Sequence, residues 1–298
     1  MKKIIVVVGP TGVGKTKMSV ELAKRYDGEI INADAMQVYK ELNIGTAKIT
    51  EEEKNGITHH LFDIKTVNDD YSIYEYQKDC RNKINEVLLR NKTPILVGGT
   101  GLYIKSALYD YKLEEVNKKD INDYADKSNE ELYNELIQID EKAALKISVN
   151  NRRRVINAIN HFNNTGTSIT ENVTDKLLYP SIFIGLTTDR DNLYNIINNR
   201  VDKMIKMGLI GEVKEFYNKG LYTKPLIGGI GYKELYKYFE GVSTLEESID
   251  LIKRNSRRYA KRQYTYFNHQ LPVIWFNTNY DDFNNTVNEV SDYIDNNS

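Results

Sequence analysis

The 298-residue sequence has a single cysteine, Cys80, so no disulfide can form within the chain. It also lacks an excess of either charge: 41 lysines and arginines face 42 aspartates and glutamates. This balance excludes a general attraction to nucleic acid or to an anionic membrane, although a local one remains open. Only five apolar residues stand between Lys3 and Gly9, too few for a membrane span. These absences predict a cytoplasmic protein with no membrane partner.

Short apolar or β-branched runs alternate with helical stretches along the chain. The runs are Lys3–Val8, Glu29–Ala33, Pro94–Val97, Ser181–Leu186 and Pro272–Phe276. Such alternation is typical of a parallel sheet flanked by helices. Three Ser-x-x-Glu sequences have the form of a capping box and predict helix starts; they begin at Ser72, Ser128 and Ser243.

Strand signals disappear between residues 113 and 178, where apolar residues follow helical spacing instead. We therefore predict an α/β fold in which a P-loop parallel sheet is flanked by helices. Residues 1–112 and 179–298 would form this core domain, and residues 113–178 an α-helical insertion domain. A last amphipathic helix is predicted near the C-terminus, from the spacing of Phe283, Val287, Val290 and Ile294.

The first predicted strand runs directly into a phosphate-binding pattern, G-x-x-x-x-G-K-[ST]. Its residues are Gly9, Pro10, Thr11, Gly12, Val13, Gly14, Lys15 and Thr16. In such a loop, backbone amides and a helix N-terminus hold phosphate oxygens, the lysine reaches the outer phosphate, and the hydroxyl can hold magnesium. The pattern predicts a phosphorylated ligand at Lys15 and magnesium at Thr16; a glycine-rich turn without a ligand is the alternative.

A nucleoside triphosphatase should also have an acidic residue at the end of an apolar strand. The best candidate strand ends instead in Gly98–Gly101, so the sequence does not indicate hydrolysis by water. The segment Asn117–Asp120 matches the N-K-x-D of guanine-binding proteins, but it follows a charged stretch and is interpreted as a solvated loop. Asp34 follows the second strand, beside the P-loop, where it could accept a proton or could serve as a turn residue.

Cations cluster in the second half of the chain. Three of them, Arg152, Arg153 and Arg154, stand at a predicted helix start, where they oppose the helix dipole and suggest an external anion. A later helix carries Lys253, Arg254, Arg257, Arg258, Lys261 and Arg262, predicted to lie opposite its stripe of Tyr259, Gln263 and Phe267. These cations form either a surface for a phosphate backbone or a solvated face. Arg200 shares a semi-apolar helix face with Ile196 and Met204, where a guanidinium usually grips an anion.

Together, several blocks resemble the tRNA dimethylallyltransferases, also called tRNA isopentenyltransferases. They are GPTGVGKT, NADAMQVYKELNIGTAK, HHLFDI, PILVGGTGLYIKSAL, NRRRVINAI, RVDKMIKMGLIGEV, GIGYKEL and RRYAKRQYTYF, and they run from Gly9 to Phe267 in the family's order. The resemblance implies an enzyme that moves a dimethylallyl group from dimethylallyl diphosphate to the exocyclic amine of the adenosine 3′ to the anticodon of tRNA. Diphosphate would be released and no ATP consumed. We expect a monomer.

The resemblance also implies roles for individual residues. Asp34 would be the general base, Thr100 would orient it, and Lys15 and Arg200 would bind diphosphate with the P-loop. Contacts to the tRNA anticodon stem-loop would come from Asp34, Ala35, Met36, Gln37, Thr100, Arg152, Arg153, Arg154, Arg257, Arg258 and Arg262. The chain departs from the family pattern at Ala35, Asn157 and Gly229, where many relatives have serine, arginine and alanine.

Two other functions remain open on the residues alone. A small-molecule or nucleotide kinase would share the P-loop and could use Asp34 as the base for a hydroxyl group. A P-loop protein that binds RNA without catalysis would predict RNA affinity independent of Asp34 and Thr100. Neither alternative requires the Gly98–Gly101 segment or Arg200 on its helix face.

Overall fold

The computed structural model describes residues 2–113, 124–171 and 173–297. The chain divides into two compact units, one formed by Met1–Leu108 and Tyr179–Ser298 and the other by Tyr109–Leu178. The N-K-x-D segment Asn117–Asp120 lies outside the described residues.

Strands and helices alternate along the first unit. The strands of the chain are β1 Ile4–Val8, β2 Gly28–Asn32, β3 His59–His60, β4 Thr93–Val97, β5 Tyr109–Tyr111, β6 Val173–Leu177, β7 Ser181–Thr187 and β8 Ile274–Asn277. The helices are α1 Lys15–Arg25, α2 Glu51–Lys54, α3 Ile73–Leu89, α4 Gly101–Leu108, α5 Asn129–Ile139, α6 Glu141–Ala144, α7 Arg152–Thr165, α8 Arg190–Lys206, α9 Leu209–Asn218, α10 Lys224–Gly228, α11 Tyr232–Phe239, α12 Leu245–Gln270 and α13 Phe283–Asn296.

A six-stranded sheet with the order β3-β2-β4-β1-β7-β8 forms the centre of the first unit. Every neighbouring pair in it is parallel. The predicted α/β fold with a parallel sheet is therefore confirmed. The edge strand β3 was not predicted, because its two histidines carry no apolar signal. Strand β4 lies between β1 and β2, so Asp34 and the P-loop follow strands that are not neighbours.

Apolar strand residues make up the core around the sheet. Residues of β1 and β7 pack with Met18 and Leu22 of α1 and with Val290 and Ile294 of α13. The predicted C-terminal helix is thus confirmed, and it packs on the core. A second apolar cluster joins α8, α9 and α11 around Val213 and Tyr232.

Two of the three predicted capping boxes are confirmed, at Ser72 and Ser128. The third prediction, at Ser243, was wrong by one residue. Thr244 caps α12 instead: its hydroxyl accepts the Glu247 N–H at 3.2 Å, and the Glu247 carboxylate accepts the Thr244 N–H at 2.8 Å. Ser243 is hydrogen-bonded to Ser248. Helical spacing alone does not distinguish two adjacent hydroxyl residues as the cap.

The second unit contains α5, α6, α7, a 3₁₀ turn and an antiparallel pair of strands, β5 and β6. The prediction of a purely helical insertion was wrong in this respect. Tyr109 pairs with Leu177 and Tyr111 with Val173. This pairing places the boundary between Leu108 and Tyr109, earlier than the predicted boundary between residues 112 and 113. Each strand is so short that it gives little signal before its partner is known.

Cys80 is buried in α3, and burial raises the pKa of its thiol to about 12. This supports the interpretation of Cys80 as a packed residue. Within the described part of the chain, no helix has the length and apolar composition needed to cross a membrane.

Candidate active site

The P-loop connects β1 to α1 at the carboxyl edge of the sheet. Gly14 stands at the N-cap of α1 with a φ of 89°, a left-handed conformation that favours glycine. A Cβ atom there would lie 2.7 Å from Cε2 of Phe283. The loop is also held by the Thr278 hydroxyl, which donates to the Val13 carbonyl at 3.0 Å. The backbone therefore leads into the N-terminus of α1 in the way the sequence predicts, and a helix N-terminus attracts anions.

Lys15, the first residue of α1, donates from Nζ to the Pro10 carbonyl at 2.7 Å. Burial, and after it the charge of Arg200, lowers the pKa of Lys15 to about 7, while the charge of Asp34 acts in the opposite direction. A cation whose protonated form is disfavoured in this way would be stabilised by a negatively charged ligand.

Arg200 lies on α8 and is half-buried. Its Nη2 donates to the Thr46 carbonyl at 3.4 Å. Burial lowers the pKa of Arg200, and the charge of Asp34 opposes this effect. The predicted semi-apolar helix face is confirmed for Met204, which lines the same cavity as Arg200 together with Ile197 and Val201. Ile196, the other residue of the prediction, is not among the described residues that line it. Lys15 and Arg200 thus bring two cations to one site from elements distant in sequence.

Asp34 follows β2 and also faces this cavity. Its N–H donates to Oδ1 of Asn32 at 2.9 Å, and its own Oδ1 accepts the N–H of Met36 at 2.9 Å. Asn32 in turn donates to the carbonyls of Asp34 and Leu61. The backbone and one carboxylate oxygen of Asp34 are therefore held in place by short local hydrogen bonds. Of the described residues that line the cavity, Asp34 is the sole carboxylate.

Thr100 holds the chain segment that follows Asp34. Its Oγ1 accepts the N–H of Ala35 at 3.1 Å, and its own N–H donates to the Ala33 carbonyl at 3.1 Å. This close approach requires glycine at position 98, where a Cβ would lie 2.2 Å from the carbonyl carbon of Ala33. Thr100 therefore contacts the residues on either side of Asp34 through their backbones, and the predicted orienting role would act through them.

Lys15, Asp34 and Arg200 line a cavity of about 360 Å³ in the first unit, whereas Thr100 is not among the described residues that line it. Predicted site residues that line it are Thr11, Lys15, Thr16, Asp34, Met36, Gln37, Arg200 and Arg262. Apolar residues complete the wall, among them Ile49, Phe62, Ile197, Val201 and Met204. A volume of a few hundred Å³ is that of a small-molecule site, and one charged end with an apolar remainder suits an amphipathic ligand.

Helix α12 contributes residues that the sequence did not assign to the site. Gln263 donates from Nε2 to the Gly99 carbonyl at 3.0 Å, and Tyr259 lines the cavity. Arg262 lines it as well, so the prediction that the cations of α12 lie opposite Tyr259 and Gln263 was wrong for this residue. The signal was available, because residues three and four apart in a helix share a face.

The other predicted RNA-contacting arginines lie elsewhere. Arg257 donates to Oδ1 of Asn198 at 2.5 Å and lies over the ring of Tyr194, whereas Arg258 is exposed. In the second unit, Arg152 donates to the Tyr124 carbonyl at 2.6 Å and to Oδ1 of Asn129.

Arg153 and Arg154 are exposed at the start of α7, whose N-terminus is capped by Asn151. RNA contact by any of these arginines stays a prediction.

The described residues contain no group of three or more histidine, cysteine, aspartate or glutamate side chains placed to hold a metal ion. Thr16 lines the cavity at the start of α1. A single hydroxyl such as that of Thr16 fits magnesium, because magnesium takes few protein ligands and fills its remaining coordination positions with phosphate oxygens and water.

Comparison with known proteins identifies the family of the chain. The IPP transferase family model matches residues 37–270. The tRNA dimethylallyltransferase of Anoxybacillus flavithermus is 50% identical over 99% of this chain and 96% of its own length. The tRNA dimethylallyltransferase of Bacillus subtilis is 46% identical over 92% of this chain and 90% of its own length.

Solved structures agree with this result. The full-length tRNA isopentenylpyrophosphate transferase of Bacillus halodurans, 42% identical, matches 99% of this chain and 96% of its own with a TM-score of 0.78. A eukaryotic dimethylallyltransferase acting on tRNA, 28% identical, matches 99% of this chain and 80% of its own with a TM-score of 0.87. The curated relatives named above are tRNA dimethylallyltransferases. The family model and the near-full-length relatives show that the chain belongs to the IPP transferase family.

Proposed function

We propose that the protein transfers a dimethylallyl group from dimethylallyl diphosphate to the exocyclic amine of the adenosine 3′ to the anticodon of tRNA, releasing diphosphate. One observation carries the proposal beyond family membership. A single cavity brings together the cations Lys15 and Arg200 and the carboxylate Asp34, with an apolar wall beside them. Prenyl transfer to an amine needs an anion site for the leaving group, a base for the nucleophile and an apolar pocket for the prenyl chain.

The cations would bind and activate the donor. An allylic diphosphate loses its C–O bond readily when the charge that develops on the leaving oxygen is neutralised. Lys15, Arg200 and the amides at the start of α1 are the groups that would supply this stabilisation. Magnesium, when bound at Thr16 with diphosphate oxygens, would neutralise further negative charge.

Asp34 would handle the proton of the acceptor. As the adenine nitrogen forms a bond to the allylic carbon, the C–O bond to diphosphate breaks and the amine must lose a proton. A carboxylate fixed within hydrogen-bonding reach of the amine can accept it. Because Oδ1 of Asp34 already accepts the Met36 N–H, the carboxylate has a set orientation before the substrate binds.

The acceptor base must leave its stack to reach the cavity. An adenine stacked in an anticodon loop does not expose its amine to a pocket at the edge of a sheet, so the base would be flipped into it. Arg262, at the cavity, and Arg258, exposed on the same helix, would hold the neighbouring phosphates. Met36 and Gln37, which line the cavity beside Asp34, would contact the flipped nucleotide.

The decisive test is mass spectrometry of an unmodified anticodon stem-loop incubated with the protein, magnesium and dimethylallyl diphosphate. The expected product carries one dimethylallyl group on the adenosine beside the anticodon, with no requirement for ATP. A parallel reaction with ATP as the donor is the control. If the stem-loop gains no dimethylallyl group while ATP is consumed, the proposal fails and the kinase alternative is favoured.

A further inference from the structure

Glu212 on α9 accepts hydrogen bonds from four donors at once. Its Oε2 accepts the N–H groups of Asn43 and Ile44 at 3.2 and 2.8 Å. Its Oε1 accepts the N–H of Gly45 at 3.1 Å and the hydroxyl of Tyr232 at 2.6 Å. Three consecutive amides of one loop are thus fixed by a single carboxylate, and bonds to a charged acceptor are stronger than neutral ones. We call residues 43–47 the anchored loop.

The anchored loop also supports the cavity. The carbonyl of Thr46 accepts the Nη2–H of Arg200 at 3.4 Å and the Nε2–H of Gln37 at 3.1 Å. Arg200 is the cation assigned above to diphosphate, and Gln37 lies in the segment assigned to RNA. The Thr46 carbonyl therefore accepts hydrogen bonds from one residue assigned to the diphosphate and from one assigned to RNA. Its position depends on the loop that Glu212 holds.

The ring of Tyr232 closes the other side of the loop. A Cβ atom added at Gly45 would lie 2.6 Å from the ring of Tyr232. Tyr232 is completely buried, so it cannot move away without disturbing the apolar cluster around α9 and α11. The loop has little freedom to shift while the bonds to Glu212 and this contact remain.

We propose that Glu212 is a positioning residue for the reaction: through the anchored loop it fixes the Thr46 carbonyl and thereby orients the Arg200 guanidinium toward the diphosphate. The role of Arg200 in this inference rests on the proposed function. A guanidinium recognises an anion through donors in a fixed plane, so its orientation decides how many bonds it makes. A displacement of about 1 Å in such a group can cost a factor of about 100 in rate.

The test measures binding of inorganic diphosphate by calorimetry. Glu212→Gln keeps the size of the side chain but replaces one acceptor by an NH₂ group facing backbone donors. We expect it to weaken diphosphate binding about tenfold. Glu215→Gln is the matched control, because Glu215 is exposed on the same helix and undergoes the same change of charge. It should bind diphosphate as the wild type does.

A double-mutant cycle separates positioning from general structural support. If Glu212 acts through Arg200, adding Glu212→Gln to Arg200→Ala should weaken diphosphate binding no further. A merely structural role predicts instead that the two losses multiply. Multiplied losses, or equal binding by Glu212→Gln and Glu215→Gln, would overturn the proposal.

A second variant covers the case in which Glu212→Gln does not fold. Gly45→Ala presses a methyl group against Tyr232 and should produce the same loss, again abolished in the Arg200→Ala background. Gly211→Ala is its control, since a Cβ at Gly211 meets no atom within 4 Å. Normal diphosphate binding by Gly45→Ala would also overturn the proposal.

The outcomes remain distinct from those of the proposed function. Coupled losses of diphosphate binding in a protein that transfers no dimethylallyl group to the stem-loop would support the role of Glu212 and refute only the proposed reaction. Multiplied losses of diphosphate affinity in a protein that does transfer the dimethylallyl group would refute only the role of Glu212.

Discussion

Charged side chains at the two ends of strand β2 have different kinds of hydrogen-bond partner. Near the amino end of β2, Glu29 is buried, with 5% of its side chain exposed. Its carboxylate accepts hydrogen bonds from Arg90 and His60, each at 2.6 Å. Beyond the carboxyl end of β2, Lys15 and Arg200 lie near Asp34. Their side chains donate hydrogen bonds to the backbone carbonyl oxygens of Pro10 and Thr46. The carboxylate at the first end has a guanidinium partner, Arg90, and the cations at the second end bond to neutral acceptors.

The pKa values record this difference. Burial by itself would raise the pKa of Glu29, but hydrogen bonds from Arg90 and then His60 hold it below its usual value of 4.5. Burial and Arg200 lower the pKa of Lys15 to about 7, which disfavours its charge. The fold therefore favours the ionised form of Glu29 and disfavours that of Lys15. Removing one partner of a charge paired within the fold is destabilising, whereas a cation that bonds only to neutral acceptors is available to an anionic ligand.

The largest expected effect comes from removing the Asp34 carboxylate, which follows the carboxyl end of β2. Asp34→Ala should lower the single-turnover rate of prenyl transfer about 1,000-fold, because it removes the proposed proton acceptor. Binding of the stem-loop, measured separately, should stay within a few fold of the wild type. Glu29→Gln, which removes the carboxylate charge at the other end, should keep its turnover. Near-normal turnover by Asp34→Ala would refute the general-base role.

Glu29→Gln should instead destabilise the fold. It leaves Arg90 and His60 without their ionic acceptor, and we expect the free energy of unfolding in urea at pH 7 to fall by about 2 kcal/mol. Because the folded-state pKa of Glu29 is depressed, its contribution is present above pH 4.5 and is lost as the pH falls through the folded-state value. A stability difference from the wild type that persisted unchanged at pH 3 would contradict this account.

Diphosphate binding should depend on pH through Lys15. Its pKa of about 7 in the free protein should rise when the anion binds, so binding takes up a proton above pH 7. Affinity should then fall by up to about tenfold per pH unit relative to Lys15→Arg, whose guanidinium stays protonated. Calorimetry in two buffers of different ionisation enthalpy measures the proton uptake. The same uptake by Lys15→Arg would assign the proton to another group.

The smallest expected effect concerns stem-loop binding, which should depend on the exposed cations of α12 but not on the ion-paired ones. Lys253 forms an ion pair with Asp202 at 2.7 Å, whereas Arg258 is exposed. Arg258→Ala should weaken stem-loop binding several-fold and reduce the slope of log affinity against log salt by about 1. Lys253→Ala should leave that slope unchanged. Equal slopes for the two variants would show that pairing does not decide which cations meet RNA.

Sequence patterns predicted most of the strands and helices of the core but fewer of the hydrogen bonds between elements. The strands of the parallel sheet, apart from β3, were visible as apolar runs, and Arg200 was correctly placed on the face of α8 that meets the cavity. The pair β5 and β6 was not predicted, because each strand gains its backbone hydrogen bonds from the other. Gln263 was seen as part of an apolar stripe, but its bond to the Gly99 carbonyl depends on how α12 packs.

The sequence by itself determined the local chemistry of this protein. Glycines in the P-loop allow a left-handed turn at Gly14, and apolar runs bounded by helix signals specify a parallel sheet. Only the tertiary structure decided which charges are paired and which cations lack a carboxylate partner. The depressed pKa of Lys15 and the anchoring of residues 43–47 by Glu212 arise between elements far apart in the chain. Burial and Coulomb energies depend on distances in space, which are set when the helices pack on the sheet.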